Sequence, residues 1–346
     1  MRDDELLPLR NNLMQLQTPY LLFLGDAPDA LAAKVAKGIR DWRPDFALGQ
    51  YRMEGCQADL GLTDMSVAEA RAAGAGTLVI GVANRGGIIS DSWINVLDEA
   101  LDSGMELAAG LHNRLADVPA LASKAAGLGL ALHDVRHPTQ SFDVGNGKKR
   151  SGKRLLPVGT DCSCGKMYTA LALEKALLGR DRKATFRATG QTGILISGAG
   201  VSVDAVIADF IAGAVEWLAP DNDDDHWDLI EGQGSLYHAS FAGVTAGLIH
   251  GAQPDALVLC HEPTRTHMRG LPHYPVPEMA DVMKLSLQMA HLTNPKARFV
   301  GISVNTANLE QDAAEAYLFE TSKRYGLPAV DPVRTGVDAI VDQLDA

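Results

Sequence analysis

A chain of 346 residues is long enough for two hydrophobic cores, and 46% hydrophobic content with 5% aromatics is ordinary for a globular α/β protein. Against 31 basic residues stand 43 acidic ones, and the net charge of −12 excludes a general nucleic-acid or anionic-membrane surface, though not a local cationic pocket for a phosphorylated cofactor. The opening MRDDELLPLRNN lacks a signal-peptide layout, no apolar run approaches a membrane span, and Cys56, Cys162, Cys164 and Cys260 form no CxxC pair, so a reduced, cytoplasmic protein is expected.

Residues 1–18 are polar and read as an arm or short helix. Tyr20–Gly25 (YLLFLG) is a first apolar strand, and Asp29–Trp42 a helix carrying Leu31, Val35 and Ile39 on one face until Pro44 stops it. Asp64–Gly74 is an alanine-rich helix ended by glycine. Thr77–Ala83 is a buried strand, followed by the turn Asn84-Arg85-Gly86-Gly87 and a helix over Ser92–Leu101. Met105–Leu111 (strand), Val118–Gly127 (helix) and Leu130–Val135 (strand) continue the alternation. Apolar strands alternating with helices predict a parallel sheet covered on both faces, hence an α/β, Rossmann-like first domain over residues 1–147. Its first turn, Gly25-Asp26-Ala27-Pro28, is no G-x-G-x-x-G, so a dinucleotide site is not expected there.

Residues 143–154 (DVGNGKKRSGKR) read as the interdomain linker. They are either simply solvated, or some of Lys148, Lys149, Arg150 and Lys153 reach phosphates held nearby.

The α/β pattern resumes over 148–346 as a P-loop NTPase-like domain. The strand Leu155–Val158 meets Gly159-Thr160-Asp161-Cys162-Ser163-Cys164-Gly165-Lys166-Met167 and then residues that favour helix. Backbone N–H groups of such a loop, the helix N-terminus and a mobile lysine together bind phosphate oxygens. Two departures from G-x-x-x-x-G-K-[S/T] matter. Gly159 lies six residues before Gly165, one more than the pattern, and Met167 replaces the hydroxyl that ligates Mg²⁺. A thioether is a soft, weak ligand for a hard cation. The loop is therefore suited to a pyrophosphate and poorly equipped for Mg-ATP hydrolysis, unless Thr160, Ser163 or Thr169 substitutes.

Downstream, Lys183–Ala188 is a strand ending in the polar turn Thr189–Gly193, and Ser202–Leu218 a strong amphipathic helix bearing Asp204 and Asp209. The acidic DNDDD of 221–225 reads as a solvated loop. Trp227–Ile230 is a strand running into Glu231-Gly232-Gln233-Gly234-Ser235, and Ala256–Cys260 one opening into His261 through His267. Phe299–Asn305 (strand), Gln311–Tyr325 (helix) and Pro328–Asp331 (edge strand) complete the domain. Polar residues thus gather where strands end, the edge that holds the ligand crevice in open α/β sheets.

The loop has the spacing of the dethiobiotin synthetase loop G-T-D-T-x-V-G-K, and Glu231-Gly232-Gln233-Gly234 is similar to that group's E-G-A-G. A closer resemblance covers nearly the whole chain. GTDCxxGKM, ATGQTGI (Ala188–Ile194), VDAVIADFIAGAVE (Val203–Glu216), EGQGSLYH (Glu231–His238) and ALVLCHEPTR (Ala256–Arg265) together resemble the D-glutamate N-acetyltransferase (DgcN-like) family. The resemblance implies a Rossmann-like plus a P-loop domain, and acetyl transfer from acetyl-CoA to the amine of a D-amino acid in D-amino-acid catabolism. It implies a small-molecule amino acid substrate, with a homo-oligomer and no nucleic-acid, membrane or metal partner expected. Acetyl-CoA carries a pyrophosphate, and its chemistry needs no Mg²⁺ hydroxyl, which fits Met167. An ATP-dependent ligase or kinase of the dethiobiotin synthetase type is the alternative.

Acetyl transfer needs a base for the ammonium, donors for an oxyanion and cations for carboxylates. Glu231, at a strand end, is the first candidate base and His261 the second; His238 and His267 are further imidazoles. Arg265 and Arg85 are candidate carboxylate clamps, and Gln191 and His238 are placed with Arg85 at the acceptor. Gly159 through Met167 are assigned to the cofactor. A thiol of Cys162 or Cys164 near the helix N-terminus has a lowered pKa in this reading, which permits an acetyl-cysteine intermediate, although direct attack by the amine needs none.

Overall fold

The computed structural model describes residues 16–30, 32–84 and 86–344. Leu31 and Arg85 lie outside the described residues, as do 1–15 of the expected N-terminal arm. The chain forms two compact units, one of residues up to Thr139 together with Gln191–Ala205, the other of Gln140–Gly190 and Val206 onward.

The first unit is built on β1 (Tyr20–Gly25), α1 (Lys34–Trp42), β2 (Ala47–Arg52), α2 (Val67–Ala72), β3 (Thr77–Ile80), α3 (Ile94–Asp102), β4 (Glu106–Ala109), α4 (Pro119–Leu128) and β5 (Leu132–Asp134). Its strands form one parallel sheet in the order β2-β1-β3-β4-β5. Every residue of β1 is buried, as a strand covered on both faces requires. Trp93 packs edge-on against Phe23 and donates its indole N–H to Asp26 at 3.0 Å. Helix α2 starts where Ser66 and Glu69 form a capping box. The edge strand β2 (ALGQYR) is absent from the sequence reading because it has no apolar run. What anchors it is the buried Gln50 side chain, which accepts from Leu60 N and donates to Asp59 and Asp64.

The second unit comprises β6 (Lys153–Gly159), α5 (Lys166–Leu178), β7 (Ala184–Arg187), α6 (Ile211–Leu218), β8 (Trp227–Ile230), α7 (Ala242–Ala252), β9 (Ala256–His261), the hairpin β10 (His267–Met268) and β11 (Leu271–Pro275), α8 (Met279–His291), β12 (Arg298–Val304), α9 (Gln311–Tyr325) and β13 (Ala329–Val330). Its parallel sheet runs β13-β12-β9-β6-β8-β7, with β6 hydrogen-bonded on both sides. The α/β expectation for both halves holds.

Three sequence readings are corrected. The helix expected over Ser202–Leu218 is only α6; upstream, Val203–Ala205 and Ala208–Phe210 are single 3₁₀ turns. Asp204 accepts from Ser202 Oγ and pairs with Arg136, and Ile207 adopts an extended ψ of 137°, so the helical period in the sequence is not continued in the backbone. Second, Arg150 and Arg154 of the linker are buried rather than solvated. Lys153 opens β6, whose other end carries the phosphate loop, so this basic segment lies at the opposite end of the strand. Third, α7 and α8 fill stretches to which no element was assigned. No helix among the described residues is long and apolar enough to cross a membrane.

Candidate active site

Strand β6 ends at Gly159 and α5 begins at Lys166, with Gly165 as its N-cap at φ +108°. Glycine is required where the backbone is this crowded. A Cβ on Gly159 would lie 2.6 Å from Cys164 Sγ and 2.9 Å from Lys166 Nζ, and one on Gly232 would lie 1.8 Å from Pro157 O. Ser163, at φ +51°, is a non-glycine residue held in the left-handed region.

What holds the loop is a set of side chains from the β9 and β10 ends. Buried Asp161 accepts from Cys162 N at 2.6 Å, from Arg265 Nη1 at 2.5 Å and from Arg269 N at 2.8 Å. Arg265 also donates to Cys162 O at 2.6 Å and to Ser163 O at 3.4 Å. Thr160 N donates to Cys260 O and Ser235 Oγ to Thr160 O. Lys166, only 6% exposed, curls back onto its own loop, its Nζ 2.8 Å from Asp161 O and 3.7 Å from Cys164 Sγ. The Thr169 hydroxyl donates to Gly165 O and meets Ser303 Oγ at 2.7 Å, so it is engaged inside the helix and is no substitute for the hydroxyl missing at Met167.

Glu231 follows β8 and is 4% exposed. Its Oε2 accepts from Thr189 N at 2.9 Å and Gly190 N at 3.0 Å, and its own carbonyl accepts from Thr189 Oγ1 at 2.6 Å. Burial pushes its carboxyl up to about 7, against the opposing pull of the two amides, Gln233 and the Lys166 charge. A Cβ on Gly190 would fall 2.4 Å from Gln233 Nε2, so a larger residue there would displace the Gln233 side chain from the clamp.

His261 ends β9, half-buried, with Nδ1 3.0 Å from Thr160 Oγ1 and its ring stacked on Tyr317 at 6.3 Å. Burial holds its pKa below the ordinary imidazole value, so the ring is neutral near pH 7. Both nitrogens of buried His238 are engaged: Ser240 N donates to Nδ1, which leaves Nε2 to donate to Arg269 O at 3.1 Å. His267 sits exposed in the hairpin against the Thr266 hydroxyl.

Donor atoms of Asp161, Cys162 and His238 lie within 4.8 Å of one another. The hydrogen bonds above leave His238 no free lone pair, and Arg265 already supplies the positive charge facing Asp161. Burial pushes the Cys162 thiol up, overriding Lys166, so the lowered pKa expected of this cysteine is corrected. Cys164 Sγ donates to Asp161 O at 3.1 Å.

The second unit therefore brings together the loop from Gly159 to Met167, Glu231, His238, His261 and Arg265. Gln191 is counted with the first unit, where a Cβ on Gly110 would lie 2.7 Å from its Cβ. Sequence reasoning missed Arg269, Gln233 and the Thr189–Gly190 amides; the ATG and EGQG stretches were the only signal for the last two.

Comparison with known proteins now gives this arrangement its relatives. A family model described as a domain of unknown function, DUF1611 P-loop domain, matches residues 143–341, and its Rossmann-like companion matches 51–138. A D-glutamate N-acetyltransferase from Tritonibacter scottomollicae is 62% identical over 331 residues, covering 96% of this chain and 99% of the relative. Another of that name from a Pseudoalteromonas species is 50% identical, over 96% of this chain and 100% of the relative. The crystal structure of a DUF1611 family protein from Anabaena variabilis is 34% identical and superposes with a TM-score of 0.83 over 95% of this chain and 99% of that one. The chain belongs to the DUF1611 family, alongside these D-glutamate N-acetyltransferases.

Proposed function

We propose that this protein is an acyltransferase that moves an acetyl group from acetyl-CoA to the amine of a D-amino acid, D-glutamate before others, in D-amino-acid catabolism. The observation that carries the reading is near-full-length identity of 62% and 50% to two proteins of that name. The geometry of the loop supports it. Loop amides, the α5 N-terminus and Lys166 suit the pyrophosphate of the donor, and Lys166 exchanges Asp161 O for a phosphate oxygen. Met167 costs nothing when no phosphoryl group is transferred.

The acceptor arrives as an ammonium. Glu231, with its carboxyl near 7, takes one proton from the ammonium and releases it to solvent; the free amine attacks the thioester carbon, a second nitrogen proton passes to the Glu231 carboxylate, the C–S bond breaks, and Glu231 gives that second proton to the departing thiolate. His261, neutral and with Nε2 unpartnered among the described residues, is the second candidate base. Arg265 acts by positioning the loop through Asp161. His238, with both ring nitrogens engaged, offers the acceptor no free nitrogen.

A thiol-release assay offering acetyl-CoA with a panel of D- and L-amino acids, run beside ATP turnover, tests the reading. Thiol release that depends on D-glutamate is expected. ATP turnover with no amino-acid-dependent thiol release would replace it with the ligase or kinase alternative.

A further inference from the structure

The phosphate loop is bordered, after β9, by a segment without acidic residues. Residues 264–277 (TRTHMRGLPHYPVP) hold two arginines and two histidines in a chain whose net charge is −12. Met268 pairs with Leu271, so Arg269 and Gly270 are the two residues of the β10–β11 turn, and Gly270 takes the φ of +79° that glycine adopts without strain.

The tip of this hairpin is fixed onto the phosphate loop. Arg269 N donates to Asp161 Oδ2 at 2.8 Å, and Arg269 O accepts from His238 Nε2 at 3.1 Å. The preceding Met268 is buried and anchors the turn. The Arg269 side chain has the opposite character. It is exposed, and its guanidinium makes no hydrogen bond or ion pair among the described residues. It stands close enough to the loop for its charge to act on the Cys162 thiol, against the burial that pushes that thiol up.

The charges around the loop are unequally satisfied. Asp161 is paired with Arg265, which leaves neither free. Lys166 has only a carbonyl and a thiol as hydrogen-bond partners. Two cations therefore stand at the loop without an ion pair, Lys166 inside it and Arg269 at its rim. Lys166, the loop amides and the α5 N-terminus together match a diphosphate. Arg269 is left for a further anion beside it, and the paired N–H groups of a guanidinium fit the oxygens of a phosphate monoester.

We propose that Arg269 is a specificity residue of the donor site, binding the 3′-phosphate monoester on the ribose of acetyl-CoA and so separating that donor from its 3′-dephospho form. The inference rests on the reading of the phosphate loop as the acetyl-CoA site. The acceptor's carboxylates are the competing anions. Glu231, the base that must reach the acceptor amine, follows β8, whereas Arg269 follows β9, and these strands flank β6 on opposite sides. That placement favours the donor.

Calorimetry on the full chain tests this, with acetyl-CoA and acetyl-3′-dephospho-CoA titrated separately into the wild type, Arg269→Met and Arg269→Lys. The wild type should bind acetyl-CoA about tenfold or more tighter than the dephospho donor, as one charge-assisted contact allows. Arg269→Met should lose that preference by weakening acetyl-CoA alone, and Arg269→Lys, which keeps the charge, should retain part of it. Asp161 and His238 hold Arg269 by its main chain, so the hairpin keeps its seat in both variants. A preference that survives in Arg269→Met would overturn the proposal. So would equal weakening of both donors in that variant, the mark of a displaced loop. Unchanged donor affinities with a raised KM for D-glutamate would give Arg269 to the acceptor instead. Wild-type binding of both donors without discrimination would overturn this inference alone, whereas a wild type that binds neither donor would overturn the acetyl-CoA reading of the loop along with it.

Discussion

At the scale of single residues, Glu231 carries two opposed influences whose balance decides its chemistry. Two amide N–H bonds and Lys166 favour the carboxylate, burial favours the acid, and burial wins by enough to bring the group to about 7. Glu231→Gln keeps the shape and the amide bonds while removing the base, so kcat should fall by about 10²–10⁴ with acetyl-CoA affinity little changed. In the wild type, kcat/KM should rise with pH through about 7, since the carboxylate is the active form. Stability carries the opposite sign. Between the ordinary 4.5 and about 7 the native state holds the proton more tightly than the unfolded chain, so Glu231 makes stability fall as pH rises across that window. Denaturant titrations at pH 4.5 and 7.5 should show that fall flattened in Glu231→Gln; an identical pH dependence in both proteins would contradict the burial argument. A second residue-scale expectation concerns Arg265. Its loss leaves Asp161 buried without its cation, so Arg265→Met should lower stability by about 3–5 kcal/mol and weaken acetyl-CoA binding together. Unfolding curves and calorimetry on one preparation check both.

At the scale of elements, legibility followed whether the determining interactions are local. Tyr20–Gly25, Trp227–Ile230 and Gln311–Tyr325 match their sequence assignments end to end, because apolar runs and helical spacing are properties of neighbouring residues. The phosphate loop was legible for the same reason. Strand β2 was not, because pairing to β1 and the Gln50 network place it, not its own residues. Nor was the clamp on the loop: Asp161 and Arg265 are 104 residues apart and meet only because β6 and β9 are neighbours. The Cys162 thiol was misjudged because helix position is readable and burial is not. The loop's glycines give the element its own test. Gly159→Ala should push Lys166 and Cys164 out of place and weaken acetyl-CoA binding at least about tenfold, as loss of a charge-assisted contact does. Gly127→Ala, in α4 with nothing within 4 Å of the added Cβ, should instead stabilise by about 0.4–1 kcal/mol and leave binding alone.

At the scale of the whole molecule, the chain order and the packing order differ. The segment Gln191–Ala205 interrupts the second unit in sequence and is counted with the first. Its helix Gln191–Ser197 buries Ile194, Leu195 and Ile196 and packs against α1. Residues 140–346 produced alone should therefore expose these side chains, bind a hydrophobic dye and melt below the full chain. Dye binding and melting equal to the full chain's would show that the segment packs adequately without its partners. The account as a whole turns on whether the phosphate loop, stripped of its Mg²⁺ hydroxyl, is the acetyl-CoA site. Calorimetry of acetyl-CoA binding in EDTA, comparing the wild type with Lys166→Ala, asks this directly. Unimpaired wild-type binding and a loss of about tenfold or more in the variant are expected, since a charge-assisted contact contributes about 1.5–3 kcal/mol. Binding that needs a divalent metal, or wild-type affinity in Lys166→Ala, would contradict it.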